Sequence, residues 1–370
     1  MGQLTRRQLL LGGGALLGAG AMPGLIGSAA GADLPRPGHV IRAGTNENPW
    51  GPSRVALRAI LNGVDYSNQY GGGGVREPFA RLMSELNDVP VDHLTIGTGS
   101  GEILKMGGML ASMESGSVVC ADPTYQDLVR YAGRAGAEII RVPVDEHLHI
   151  DLEAMASAIR RDTRLVYLVN PNNPIPAIIE KNALRDFVVE ISKDRMVFVD
   201  EAYFEFVEDP DYGTMLDLIR EGRKNIIVTR TASKIHGLAG LRVGFGHAHP
   251  DLISEINNRK TGQMNVLGLV AAYASYQDRE FQDFTLRMNK ESLAIVEGMF
   301  DELGLRYVKS NANFCFFENN RDVREYNSVM LQHGIMSGRP FPPMTMWSRV
   351  SMAKPDEMRY FVQTYRNLYG

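Results

Sequence analysis

Along the middle of the chain, short apolar runs return at a nearly constant interval. RLVYLVN ends at Asn170, MVFVD at Asp200 and NIIVTR at Arg230, and each leads through a loop into a stretch of mixed polar and apolar residues such as EKNALRDFVVEISKD. Continuous apolar runs rich in β-branched residues predict parallel strands buried on both faces, and the mixed stretches predict amphipathic helices that cover them. Upstream, HLTIGTGSGEILKMGGML and SVVCADPTYQDLVRYAGRAG each read as strand, turn and helix. From about Pro250 the texture changes to longer helices, then NANFCFFE as a strand and WSRVSMAKPDEMRYFVQTY as a strand leading into a helix. The predicted fold class is α/β, a mostly parallel sheet sandwiched by helices, with a smaller α+β domain at the C-terminus.

The first residues break this pattern. In MGQLTRRQLLLGGGALLGAGAMPGLIGSAAGADLPRP, Arg6 and Arg7 precede an uncharged stretch from Leu9 to Ile26, and Ala30-Gly31-Ala32 supplies small residues for a peptidase. A basic start, an apolar middle and a small-residue end predict a secretory signal over 1–32, and the paired arginines resemble the twin-arginine type. That makes the expected location periplasmic, with no stable membrane span in the mature chain. The predicted division is a signal at 1–32, an N-terminal arm at 33–65 that joins the small domain, a large domain at 66–270 and a small domain at 271–370.

Composition narrows the function. The 370 residues carry 39 Lys+Arg against 43 Asp+Glu, a net charge of −4, and loss of the signal takes away two arginines and no acid, giving −6. A mildly acidic chain with no basic stripe argues against nucleic acid as a partner. Two cysteines, Cys120 and Cys315, are too few for a disulfide framework or a four-thiolate zinc site, and both sit in apolar runs as buried thiols. The pairs His147/His149 and His247/His249 have no third or fourth ligand near them, so no metal is expected, and they read as surface polar residues. His236, two residues past Lys234, reads as loop packing, with site lining as the alternative.

In an open α/β sheet, ligands gather beyond the carboxyl ends of the strands. Thr231-Ala232-Ser233-Lys234, followed by Gly240-Leu241-Arg242, suits an aldehyde cofactor that carries a phosphate. The lysine amine can form a Schiff base, while a hydroxyl and a guanidinium hold the phosphate. Asp200, at the tip of its strand, is costly to bury without a partner, and a protonated pyridine nitrogen is a suitable one. Tyr203, or an amide from Asn170, Asn172 or Asn173, can reach the ring hydroxyl. Gly97-Thr98-Gly99-Ser100-Gly101 opens a helix whose leading amides favour a phosphate. The same glycine loop partly imitates a dinucleotide site, but its spacing is not G-x-G-x-x-G, and that reading leaves Asp200, Lys234 and Arg242 without a task.

Together these motifs make the chain resemble the fold-type I pyridoxal-phosphate aminotransferases, closest to the histidinol-phosphate aminotransferase group. The resemblance rests on Thr45-Asn46-Glu47-Asn48-Pro49, Ala121-Asp122-Pro123-Thr124-Tyr125, Asn170-Pro171-Asn172-Asn173-Pro174, Asp200-Glu201-Ala202-Tyr203, Ser233-Lys234 and Gly240-Leu241-Arg242. It implies pyridoxal 5′-phosphate as cofactor, and an amino donor and a 2-oxo acid acceptor as small-molecule partners. Lys234 would carry the cofactor and move the proton, Asp200 would pair with the ring nitrogen, Asn173 and Tyr203 would hold the ring hydroxyl, and Tyr125 would stack on the ring. Ser100, Gly101, Ser233 and Arg242 would bind the phosphate, helped by Tyr70 from the second subunit of a homodimer. Arg349 would grip the acidic end of the substrate, Asn46 would close over it, and Arg339 stands one position from the family's second substrate arginine. The family pattern continues after Asn173-Pro174 with Thr-Gly, where this chain has Ile175-Pro176, and Tyr70 is followed by four glycines. The changed loop keeps an alternative open on the same scaffold, a decarboxylase, lyase or oxidase.

Overall fold

The apolar runs of the middle of the chain become one sheet. A computed structural model describes residue 34 and residues 36–370 apart from 73 and 114. The proposed signal at 1–32 lies outside the described residues. Numbered along the chain, β1 is Ile41–Arg42, and the large sheet is built from β2 (Leu94–Thr98), β3 (Ser117–Asp122), β4 (Glu138–Pro143), β5 (Thr163–Val169), β6 (Met196–Asp200), β7 (Ile226–Thr231) and β8 (Val243–Ala248). Its strand order is β2-β8-β7-β6-β5-β3-β4. Strands β3 to β7 run parallel, and β8 runs antiparallel to both of its neighbours.

Both faces of this sheet are dry. Along β5, Val166 and Leu168 join one apolar cluster, whereas Leu165, Tyr167 and Val169 join another. Val197 and Val199 of β6 separate in the same way from Phe198. Alternate residues of a strand point to opposite faces, so a continuous apolar run fills two layers of helix contacts at once. Helix Lys181–Ile191 contributes Leu184 and Val188 to the first layer, and helix Ser100–Ser112 contributes Ile103 and Leu104 to the second.

A second, antiparallel sheet has the order β12-β10-β9, from β9 (Tyr307–Val308), β10 (Phe314–Glu318) and β12 (Trp347–Ser351), with β11 (Ile335–Met336) paired in parallel to β1. Its core collects Val296 and Phe300 from helix Arg279–Glu302, Phe361 and Tyr365 from helix Pro355–Tyr369, and Ile41 from β1. The stretch VIRAGTNENP therefore has no core of its own but lends Ile41 and Ala43 to this one. Residues 35–370 form one compact unit. Among the described residues, no helix is long and apolar enough to cross a membrane.

One expectation is corrected here. His247 is not a surface residue: it lies within β8, is 0% exposed, and neither ring nitrogen has a hydrogen-bond partner. Burial holds its pKa down at about 3, so it stays neutral and packs edge-on against Phe245. The two cysteines are free and buried, as their apolar runs predict, and burial pushes the Cys120 thiol up to about 12.

Candidate active site

The reversed direction of β8 brings together parts that lie far apart in the sequence. Thr98, at the end of β2, faces Val243 at the start of β8, and Thr231, at the end of β7, faces Gly244. Arg242, the residue before β8, therefore sits between the glycine loop after β2 and the lysine loop after β7. Its backbone is left-handed (φ 58°), which turns the side chain back across the loops. Its Nη1 donates to the Ala239 carbonyl at 2.8 Å and reaches Ser233 Oγ at 3.5 Å. Two glycines make the approach possible. A Cβ on Gly99 (φ 79°) would lie 2.2 Å from Arg242 Nη2, and one on Gly244 would lie 2.1 Å from the Ser100 amide nitrogen. Helix Ser100–Ser112 begins right there with no side chain capping it, so its positive end and the guanidinium point at one place.

A cavity of about 460 Å³ opens beside this cradle, and Ser100, Gly101, Ser233, Arg242, Arg339 and Arg349 all line it. Asp200, Tyr203, Lys234, Asn173, Tyr125 and Asn46 line the same cavity. Every site residue expected from the sequence thus meets in one cavity except Tyr70, which is 95% exposed and does not line it. His236 does not line it either. It is buried under the loop, with Nδ1 3.0 Å from Ser275 Oγ and Nε2 3.2 Å from Glu205. Loop packing is thus its place in the fold.

Asp200 is 2% exposed. Burial pushes its carboxyl up to about 7, against the hydrogen bond donated by Thr229 Oγ1 at 3.1 Å and the nearby Lys234 ammonium, both of which favour the charged form. Lys234 Nζ donates to the Asn46 carbonyl at 3.3 Å and stands 5.1 Å from the centre of the Tyr203 ring. The Tyr203 hydroxyl accepts from Asn46 Nδ2 at 2.9 Å and Asn173 Nδ2 at 3.2 Å. Tyr125 donates its hydroxyl to Asp127 at 3.0 Å, and burial raises its pKa.

Arg349 has no carboxylate partner among the described residues, although it is only 7% exposed. Its Nη1 donates to Asn173 Oδ1 at 2.7 Å, its Nη2 donates to the Gly44 carbonyl at 2.6 Å, and its Nε has no partner. Burial lowers its pKa to about 10. A guanidinium held on two neutral oxygens with a third donor free is prepared for an incoming acid group.

Several contributors escaped the sequence reading. Ser351 accepts from the Asn46 amide at 2.8 Å and donates to Asn46 Oδ1 at 2.6 Å, fixing Asn46 in its left-handed conformation (φ 53°). The alternation of WSRVS could have found it, because Arg349 and Ser351 share a face of β12. Thr229, the hydroxyl under Asp200, comes from the neighbouring strand β7, and only the register Asp200↔Thr229 reveals it. Ile175, in place of the family's threonine, is fully buried in a cluster with Phe316, Phe341 and Trp347, so the altered loop is anchored to the small sheet.

Residues 39–364 match the model of the aminotransferase class I and II family. The chain belongs to this family. A histidinol-phosphate aminotransferase of Moorella thermoacetica is 39% identical over 298 residues, which cover 80% of this chain and 77% of that protein. A solved structure from Erwinia carotovora atroseptica, assigned as a histidinol-phosphate aminotransferase, has a TM-score of 0.85 and 31% identity, and the match covers 89% of this chain and 96% of that one. The histidinol-phosphate aminotransferase of Sinorhizobium meliloti, solved with pyridoxal 5′-phosphate, has the same fold at a TM-score of 0.81 and 24% identity, covering 89% and 92%. This aminotransferase is therefore a pyridoxal-phosphate-dependent transferase of amino groups.

The residues present fit that cofactor. A buried carboxyl with its pKa near 7 gains from a cation opposite it, and Asp200 is such a group. The cradle of Ser100, Gly101, Ser233 and Arg242 has the donors that a phosphate needs, and Arg242 has no ion-pair partner among the described residues.

Proposed function

We propose that this aminotransferase moves an amino group from a donor bearing an acidic group, an amino acid or an amino phosphate, to a 2-oxo acid. The observation that carries the reading is Arg349, a buried guanidinium that lines the cavity with no counter-ion among the described residues. The name shared by the relatives makes L-histidinol phosphate the first donor to test.

Pyridoxal phosphate, when bound, supplies an electrophilic aldehyde and a ring that withdraws electrons from the substrate Cα. The chain does the rest. Ser100, Gly101, Ser233 and Arg242 would hold the phosphate, Asp200 would keep the ring nitrogen protonated, and Asn173 and Tyr203 would hydrogen-bond the ring hydroxyl. Tyr125 would cover the ring face. Lys234 would take the proton from the substrate Cα and return it on the other side of the transfer, as a general base and then a general acid. Arg349 would orient the acid group so that the Cα–H bond faces Lys234, with Asn46 closing the cavity.

The test is a half-reaction. Cofactor absorbance should change on adding L-histidinol phosphate or L-glutamate and recover on adding a 2-oxo acid, and sustained turnover should require that acceptor. Product formation without an acceptor, with release of carbon dioxide or consumption of oxygen, would move the enzyme to the alternative chemistries.

Two further readings rest on less. A homodimer is supported by Tyr70 and by a row of exposed apolar side chains just before it, Val55, Leu57, Leu61, Val64 and Tyr66, which a second copy would cover while Tyr70 reached that copy's phosphate cradle. Export to the periplasm is supported by the sequence from Thr5 to Ala32 and is tested by locating the full chain in cell fractions.

A further inference from the structure

One buried side chain ties the loop that carries Lys234 to the loop that carries Asp200 and Tyr203. His236, two residues past Lys234, is 0% exposed. Its Nε2 lies 3.2 Å from Glu205 Oε1, and a carboxylate oxygen only accepts, so Nε2 carries the proton and donates the bond. Nδ1 lies 3.0 Å from Oγ of Ser275, the last residue of helix Val266–Ser275, and the ring packs on Tyr276 at 3.8 Å between centres. Glu205 belongs to a single tight helical turn, Phe204–Phe206, that starts right after Tyr203. Among the described residues its Oε1 has no partner but His236, and its Oε2 has none. The other titratable or charged groups that face Glu205 are Tyr212, Tyr276 and Arg230. Burial first, and Glu205 among the charges, push both phenols up, while Arg230 pulls them down, and neither phenol hydroxyl has a partner among the described residues.

The backbone bonds here close each loop on itself. The Gly237 amide donates to the Lys234 carbonyl at 3.0 Å and the Leu238 amide to the Ala232 carbonyl at 3.1 Å, while the Phe206 amide donates to the Tyr203 carbonyl at 3.0 Å. Between the loops lie an apolar cluster that joins Ile235 to Ala202, Tyr203 and Phe206, and the bond from His236 to Glu205. An apolar contact sets a separation loosely, whereas a buried hydrogen bond to a carboxylate fixes both distance and direction. We propose that His236 is a positioning residue for amino transfer: through Glu205 it sets how far the Lys234 amine stands from Asp200 and Tyr203. The inference rests on the reading that Lys234 carries the cofactor. In that reading Asp200 and Tyr203 would fix the ring and Lys234 its reacting carbon, so their spacing sets the basicity of the Lys234 nitrogen and its reach to the substrate Cα. Two residues of chain span at most about 7 Å, so a shift at the tie reaches both reacting groups.

The test uses three variants. His236→Phe keeps a ring against Tyr276 and removes both nitrogens, Glu205→Gln leaves a neutral acceptor for Nε2, and the double variant removes the tie without stranding a charge. In the cofactor-free protein, amide hydrogen exchange should quicken by at least about tenfold in both 203–207 and 232–238 for His236→Phe, and for the double variant should it alone fold. In the holoenzyme, the pH at which the visible band changes should move by about half a unit or more. The rate constant of the first half-reaction should fall by roughly ten- to a hundredfold, with KM changed less than about twofold. Glu205→Gln should recover most of each effect, because an acceptor remains. An unchanged pH midpoint and rate, with or without faster exchange, leaves His236 as packing alone and overturns the proposal. Exchange that quickens only in 232–238 also overturns it, because the second loop is then not tied. Borohydride reduction of the unsubstituted holoenzyme tests the underlying reading separately. If the cofactor is trapped on a residue other than Lys234, that reading falls and the positioning role with it, whereas the exchange result still reports the tie itself.

Discussion

Arg230 and Arg349 are equally buried, each 7% exposed, and they are opposites in every other respect. Arg230 lies behind the sheet ends in a closed network. Its Nη2 donates to Glu201 Oε2 at 2.8 Å, its Nη1 donates to Asn87 Oδ1 at 2.6 Å, and it lies flat over Phe204 at 3.6 Å. Glu201 in turn accepts from Thr214 Oγ1 at 2.8 Å and from the Met215 amide at 2.8 Å. Arg349 has only two neutral acceptors and an unpartnered Nε. A buried charge is expensive, so a structural one is surrounded by its counter-charge, and one that waits for a ligand is not. The first holds the loop that carries Asp200 and Tyr203, and the second is the one we propose for the substrate's acid group.

That contrast can be broken or sharpened by substitution. The largest effect is expected at Lys234, which has no ion-pair partner among the described residues: Lys234→Ala should cut turnover by at least about 10⁴-fold, since the proposed anchor and proton carrier vanish together, while the folded protein still takes up pyridoxal phosphate weakly. Next, Arg230→Ala should destabilise the fold by about 3–5 kcal/mol, read from denaturant unfolding, because Glu201 is left charged and unpaired. Arg349→Ala should show the reverse profile. Its kcat/KM for acidic donors should fall by roughly 10²–10³-fold with thermal stability and cofactor affinity nearly unchanged. Should Arg349→Ala unfold the protein and Arg230→Ala spare it, the assignment of the two arginines is inverted.

A smaller effect tests Asp200. Its carboxyl titrates near 7 in the folded chain without cofactor, against an ordinary value of 3.8, so between these limits the folded state keeps a proton that the unfolded state has lost. Stability of the cofactor-free protein is therefore greatest below that window and falls as pH rises through it, by a few kcal/mol as an order of magnitude. Asp200→Asn should flatten this slope in a melting series across pH and should also weaken cofactor retention. The pH slope should shrink likewise in the holoenzyme, where a cation faces the carboxylate. The smallest change is expected from Tyr70→Phe, a several-fold faster loss of cofactor, of order 1 kcal/mol for one hydrogen bond, that disappears on dilution to monomer.

Much of the cofactor end was legible because its residues sit at the tips of apolar runs. Asp200 closes MVFVD and Lys234 follows NIIVTRT, and the ends of parallel strands are where a sheet gathers its ligands. Other features gave no such signal. VGFGHA is half glycine and histidine by its look, and its burial as the antiparallel strand β8, with His247 inside, follows from its place between β2 and β7 and from the close approach of Gly244 to Ser100. No sequence motif marks Arg130 or Arg141, and only the approach of the Arg339 segment makes them the wall of a cavity.

Local pattern alone determined the alternating strands and helices and the loop chemistry at Ser100, Asp200, Lys234 and Arg242, since these depend on residue type and short spacing. Tertiary structure decided which of the buried cations has a counter-charge, and that Ser351 and Thr229 support Asn46 and Asp200. Electrostatic pairing depends on distances of a few ångströms between residues that can be more than a hundred positions apart, and no periodicity along a chain encodes such distances.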